Sequence, residues 1–205
     1  MSADEKKTVL SESTGLLIVL SGPSGVGKGT ICKAILARDS ALALSVSATT
    51  RERSPSEVHG KDYYFCSEEE FQELLDQDDF LEWADVHGHR YGTIKSKVEE
   101  ILSEGKDCLL EIDVQGGIQV IKIMGQSCLT IFIKPPSEEE LLRRITGRNR
   151  DKPEDIKRRM TTAQWEMTQE DKYRYTVVND VLEDAVEKVL DIIRKERRAH
   201  AAAIH

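Results

Sequence analysis

The chain has 205 residues, a formal net charge of −8 and four cysteines, which fits one α/β domain with small insertions. The acidity argues against a protein that coats nucleic acid. No apolar run approaches the ~20 residues of a membrane span, and the charged opening MSADEKKTVLSES lacks the apolar core of a secretory signal. Cys32, Cys66, Cys108 and Cys128 show neither CxxC pairing nor a His-rich neighbourhood, so reduced thiols in a cytoplasmic protein are expected.

In chain order, residues 1–14 read as a disordered lead-in. A buried strand follows at 16–21, and then GPSGVGKGT (22–30) leads into a helical stretch at 27–38. Gly22, four residues, Gly27 and Lys28 between a strand and a helix start form a phosphate-binding loop. Its backbone N–H groups and the helix N-terminus converge on one point. Gly22, Pro23, Ser24, Gly25, Val26, Gly27, Lys28, Gly29 and Thr30 are therefore the expected ATP-phosphate residues, with Lys28 supplying a point charge for the β/γ-phosphates. An ordinary Gly-rich turn is the plain alternative, and the spacing, the lysine and both flanks argue against it. Position 29, where a Ser or Thr commonly meets Mg²⁺, is Gly29, and the hydroxyl arrives at Thr30. The form GKGT resembles the loops of nucleoside-monophosphate kinases, with Mg²⁺ held mostly by phosphate oxygens, water and an acidic residue elsewhere.

Further strand-like runs fall at 44–47, 107–112, 129–134 and 175–178, and helical patterns at 116–124, 138–146 and 182–198. Alternating β and α with near-continuous apolar strands predicts an α/β fold, a five-stranded mainly parallel sheet covered by helices on both faces. Helix starts carry side-chain caps: Ser67 with Glu70, Ser137 with Glu140, and Asp151 with Glu154. Residues 49–105 break the alternation with short strand signals (63–65, 80–86, 90–93) and helices near 68–76 and 95–103, and read as an inserted subdomain. The remaining core comprises 15–48, 106–139 and 161–199, with a short tail at 200–205.

From Arg143 to Arg159 eight basic residues stand against three acidic ones. Like charges four apart on a helix, such as Arg144 and Arg148, are unfavourable without an anionic partner. A solvated basic face is one reading. Beside a phosphate-binding loop an anion clamp is the better one, and residues 140–160, with Gly147 near the join, are expected to form a lid.

Eight stretches recur in one order: GPSGVGKGT (22–30), SVSATTR (45–51), EVHGKDYYF (57–65), FLEWADVHGHRYGT (80–93), LEIDVQGG (110–117), TGRNR (146–150), KRRM (157–160) and VVND (177–180). In order and spacing they resemble the guanylate kinases over about 165 residues. The resemblance implies γ-phosphoryl transfer from ATP to GMP, and to dGMP, with Mg²⁺. It makes residues 49–105 the GMP-binding subdomain and implies a monomer or homodimer with no nucleic-acid or membrane partner. It places Glu82 on the guanine N1–H and N2–H₂ donors and Ser47 on O6. A carboxylate accepts both donors of guanine, whereas adenine turns a lone pair towards it. The resemblance also places Arg51, Tyr63, Tyr91 and Thr93 around the GMP phosphate. Asp113 follows a strand beside the loop, where a carboxylate can meet Mg²⁺ through water or contact the guanine edge. Glu111, two residues earlier, points to the same side. Thr30 and Asp113 are the candidate protein contacts of the metal.

Phosphoryl transfer needs alignment and charge neutralisation rather than a covalent intermediate. Lys28 and the lid arginines Arg144, Arg148 and Arg159 would surround the transferring group. Asn179 matches a position near the adenine site and could equally be a loop cap. Two competing readings are a P-loop kinase for another monophosphate and a non-catalytic guanylate-kinase-like binding module. The Ser47/Glu82 pair speaks against the first; Lys28 and the lid arginines speak against the second. One departure is local. The family commonly carries two arginines three apart, whereas here the segment reads Arg51-Glu52-Arg53-Ser54. Arg53 stands one position early, and it is expected to reach the GMP phosphate more weakly than Arg51.

Overall fold

The computed structural model describes residues 15–86, 88–146 and 153–204. The expected lead-in 1–14, the join at Gly147, Arg148 and the Asp151 cap lie outside the described residues.

Strand β1 (Leu17–Ser21) is completely buried and sits at the centre of a five-stranded sheet. Its neighbours are β7 (Asp107–Glu111) and β8 (Cys128–Lys134); β2 (Leu42–Leu44) and β9 (Tyr175–Val178) form the edges. All four pairings are parallel. The alternation along β1 explains why both faces must be covered. Leu16, Ile18 and Leu20 pack with Ile31, Cys32 and Ile35 of α1 (Lys28–Arg38) and with Val186, Val189 and Ile193 of α7 (Leu182–Ile204). Leu17 and Val19 face the other way, onto Val98 and Leu102 of α3 (Lys95–Ser103) and Val114, Val120 and Met124 of α4 (Val114–Met124).

Between β2 and β7 the chain builds a second sheet of four strands, ordered β4 (Tyr64–Phe65), β3 (Ala48–Thr49), β6 (His89–Ile94) and β5 (Phe80–Val86). Phe71 of α2 (Glu68–Asp76) packs on its Ala48, Phe80 and Ile94. The Ser67/Glu70 capping box that starts α2 is formed in both directions. Helices α5 (Glu138–Thr146) and α6 (Pro153–Met167) pack on each other through Leu141, Ile145 and Ala163.

Three element positions differ from the sequence-based expectation. The second core strand occupies 42–44 rather than 44–47. After Ser45, whose N–H still reaches Leu109 O at 3.0 Å, the chain leaves for the second sheet. The helix expected from Gly116 begins at Val114, because Asp113 caps it: its Oδ1 accepts from the Gly116 N–H at 2.8 Å. The expected tail is helical, as α7 continues to Ile204. The Ala-His-Ala-Ala-Ala run is a strong helix former, so the helix propagates through it.

Candidate functional site

The phosphate loop turns from β1 into α1 at the C-terminal edge of the central strand. Gly27 caps α1 with φ 98°, a left-handed conformation that strains any side chain. A Cβ there would also lie 2.7 Å from Asn179 Nδ2. Asn179 is buried, and its amide donates to Val26 O at 2.8 Å while its own N–H reaches Lys134 O. Asn179 therefore braces the loop from below, beside β9, and is not among the residues lining the cleft.

That cleft, of about 1160 Å³, lies between the loop, the second sheet and α6. It exceeds the usual size of a single-ligand pocket, which leaves room for two nucleotides. Ser24, Gly25, Gly27, Lys28, Gly29 and Thr30 line one side; Ser47, Tyr63, Glu82 and Tyr91 line the other. Glu111 and Asp113 also line it, and Arg158, Arg159, Thr162 and Glu166 complete the lining. Thirteen sequence-predicted residues thus border one space: the six loop residues, Ser47, Tyr63, Glu82, Tyr91, Glu111, Asp113 and Arg159. Gly22, Pro23 and Val26 hold the loop's backbone behind it. Arg51, Arg53, Thr93 and Arg144 are not lining residues.

Cations around the loop rest on protein oxygens. Lys28 Nζ donates to Gly22 O at 2.6 Å and to Pro23 O at 3.3 Å. Arg144 donates from Nε to Glu140 Oε1 at 2.7 Å and from Nη1 to Val26 O at 3.3 Å. Arg159 donates from Nη2 to Ser24 Oγ at 3.2 Å. The loop is therefore gripped by two helices, α5 through Arg144 and α6 through Arg159.

Glu82 sits on β5, 6% exposed. Thr93 Oγ1 donates to its Oε1 at 2.6 Å, so Thr93 serves the carboxylate directly. Burial pushes the carboxyl up to about 7; Asp113 adds to the rise and the Thr93 hydroxyl opposes it. Its other oxygen lies against the start of α4, where a Cβ on Gly116 would come within 2.3 Å of Oε2. Only glycine leaves the room this acid needs.

At the far end of the second sheet, Tyr63 and Tyr91 meet edge-on at 5.9 Å, and the Arg51 guanidinium lies 5.4 Å from the Tyr63 ring centre. Arg51 forms a two-pronged ion pair with Glu57, Nη2 to Oε1 at 2.7 Å and Nη1 to Oε2 at 3.1 Å. Arg53 is exposed and makes no hydrogen bond or ion pair among the described residues.

For a divalent cation the relevant atoms are oxygens. A Cβ on Gly29 would stand 3.2 Å from Glu111 Oε1, so a carboxylate fills the place where the common Ser or Thr side chain would project. Thr30 and Asp113 border the same space. This donor set suits a hard cation held chiefly by phosphate oxygens and water.

Sequence reasoning missed Glu166. It is 5% exposed and accepts the Ser24 N–H at 3.2 Å. Burial raises its pKa, and Lys28 opposes the rise. The signal available was the spacing of Arg159, Thr162 and Glu166, which puts all three on one face of a helix beginning in the basic segment.

Comparison with known proteins follows the same lines. The family model described as guanylate kinase matches residues 14–196. A guanylate kinase of Caldanaerobacter subterraneus subsp. tengcongensis is 50% identical over 183 residues, 89% of this chain and 88% of that protein. One from Thermotoga maritima is 48% identical over 183 residues, with 89% and 88% covered. The crystal structure of guanylate kinase from Anaplasma phagocytophilum superposes with a TM-score of 0.75 at 34% identity, covering 90% of this chain and 87% of that one.

Proposed function

The chain belongs to the guanylate kinase family, and from that membership we propose that it transfers the γ-phosphoryl group of ATP to GMP, giving ADP and GDP. The observation that carries this reading is the shared cleft: a complete phosphate loop on one side and the buried, hydroxyl-supported carboxylate of Glu82 on the other. A site built to receive two guanine N–H donors rejects a base lacking them by ~10⁴ or more, because its own buried groups are then left unpaired.

In this mechanism the loop N–H groups and Lys28 hold the ATP phosphates. Lys28 exchanges the carbonyls of Gly22 and Pro23 for phosphate oxygens. Ser47 donates to guanine O6 while Glu82 accepts from N1 and N2. Arg51, Tyr63 and Tyr91 fix the GMP phosphate, and the charge of Arg53 adds a weaker attraction. Arg144 and Arg159, with Arg148 assigned by its place in the family motif, neutralise the charge spreading over the transferring group. Mg²⁺, held by Thr30, Asp113 or Glu111 beside the phosphates, would add a further positive charge to that group. Closure of residues 49–105 and 140–160 over both substrates excludes water and limits wasteful hydrolysis. Asn179 acts beneath the adenine side by keeping the loop in shape.

None of these contacts reads the ribose 2′-hydroxyl, so dGMP is also an acceptor. The protein works in purine nucleotide metabolism in the cytoplasm, as a monomer or homodimer without nucleic-acid or membrane partners. Its four unpaired cysteines suit that reducing setting. Among the described residues no helix is long and apolar enough to cross a membrane. A coupled assay with GMP, dGMP, AMP, UMP and CMP as acceptors tests the reading. Turnover with GMP and dGMP alone is expected; equal turnover with AMP would refute it.

A further inference from the structure

The family's second phosphate arginine has no counterpart at position 54, where this chain carries Ser54. The loop from 51 to 57 is nevertheless tightly organised. Glu57 accepts both ends of the Arg51 guanidinium and also the Ser54 N–H, at 2.8 Å to Oε2. Arg51 Nη1 donates to Glu52 O at 2.8 Å and reaches Ser54 Oγ at 3.5 Å. The rings of Tyr63 and Phe65 flank the same guanidinium at 5.4 and 5.7 Å, and the Tyr91 hydroxyl bonds to it.

Counting N–H groups shows what this arrangement leaves. A guanidinium has five in a fixed plane. Glu57 takes one from each terminal nitrogen, and Glu52 takes the second on Nη1. The remaining edge, Nε–H with the second Nη2–H, is left for the Tyr91 hydroxyl and for a phosphate, two of whose oxygens match this side-on fork. It belongs to the residue that shares Tyr63 and Tyr91, which line the cleft.

We propose that Glu57 is a positioning residue for the GMP phosphate. Held by the Ser54 N–H, it fixes the rotation of Arg51 so that a single arginine presents its side-on fork. This rests on the GMP-kinase reading above. Glu57 does not compete with the phosphate, because its charge is already matched by the opposite edge of the same cation.

The experiment compares wild type with Glu57→Ala, Glu57→Gln, Arg51→Ala and the double variant Glu57→Ala/Arg51→Ala, each checked for fold by circular dichroism. GMP and guanosine binding are measured by calorimetry, together with kcat and both KM values. Glu57→Ala should weaken GMP roughly five- to thirtyfold, with guanosine affinity, KM for ATP and kcat at saturating GMP unchanged. Glu57→Gln, which keeps one acceptor, should fall between. In the Arg51→Ala background the Glu57 change should cost nothing further, since Glu57 acts through that side chain. Additive losses, equal weakening of guanosine, or tighter GMP binding by Glu57→Ala would each overturn the proposal. A wild type that binds GMP normally beside an unaffected Glu57→Ala refutes the brace alone. A wild type that neither binds nor phosphorylates GMP refutes the functional reading first.

Discussion

Replacing Glu82 by Gln should improve stability while damaging GMP recognition, and the size of the gain should depend on pH. Glu82 is buried and its folded pKa rises from 4.5 to about 7. The folded state therefore holds this proton more tightly than the unfolded state does. Between those two values stability falls as pH rises, and the penalty is complete above the folded pKa. Worked through the linkage relation, the cost of ionising Glu82 in the fold is about 1 kcal/mol at pH 5 and about 3 kcal/mol at pH 8. Gln keeps an oxygen for the Thr93 hydroxyl and carries no charge, so the variant should gain roughly those amounts over wild type. Urea denaturation followed by circular dichroism at both pH values measures the difference. At the same time the amide accepts the paired guanine donors poorly, and GMP affinity should fall at neutral pH. In wild type, the KM for GMP should rise about tenfold per unit as pH drops below the Glu82 pKa. A stability difference that is the same at pH 5 and pH 8 would refute the idea that Glu82 is a charge held in a dry site.

Lys28→Ala should lower kcat on the order of 10²-fold with the fold intact; near wild-type turnover in a folded variant would contradict the assignment of the phosphate loop. Gly116→Ala puts a methyl where Glu82 Oε2 now lies, 2.3 Å from the new atom. A displaced carboxylate should reduce kcat/KM for GMP on the order of 10²-fold, while the KM for ATP stays constant in initial-rate assays. Arg51→Ala should raise the KM for GMP more than Arg53→Ala does, at low salt where charge counts most. Glu166→Ala leaves the Ser24 N–H without an acceptor, so the melting temperature should drop by ~2–12 °C. Glu166→Gln, which still accepts that N–H, should stay much closer to wild type in the same melting scan.

What the sequence made legible were features whose chemistry is local. The spacing of Gly22, Gly27 and Lys28 states a backbone requirement within nine residues, and the Ser67/Glu70 cap is complete within four. An unbroken apolar run was enough for β1, which is buried on both faces, whereas the edge strand β2 was expected two residues too late. The contacts that were not legible join residues distant along the chain. Glu166 reaches Ser24 across 142 positions, and no local pattern announces such a partner. Thr93 could be placed near the substrate by resemblance, but its bond to Glu82 depends on the pairing of β5 with β6. Asp113 was legible as a cleft carboxylate and not as a helix cap, since its position after an apolar run admits both and it does both. Arg53 shows the reverse limit: a charge is easy to see, while its direction depends on a loop whose shape Glu57 decides.

The central position of β1 also governs how the chain can be made. Leu17 to Ser21 are synthesised early, yet their sheet neighbours are β7 and β8, and Leu17 meets Cys108. The Leu16 N–H is satisfied by Asp107, 91 residues downstream. At ribosomal rates that interval lasts about 5–20 s. Throughout it the central strand of the sheet has no neighbour to pair with, and once β7 arrives it still lacks β8. The inserted second sheet, encoded between β2 and β7, lengthens this wait, so the insertion carries a biosynthetic cost borne by the core. A nascent chain of this design holds an unpaired, aggregation-prone strand for seconds, and protection of residues 16–21 during synthesis becomes part of what the fold requires.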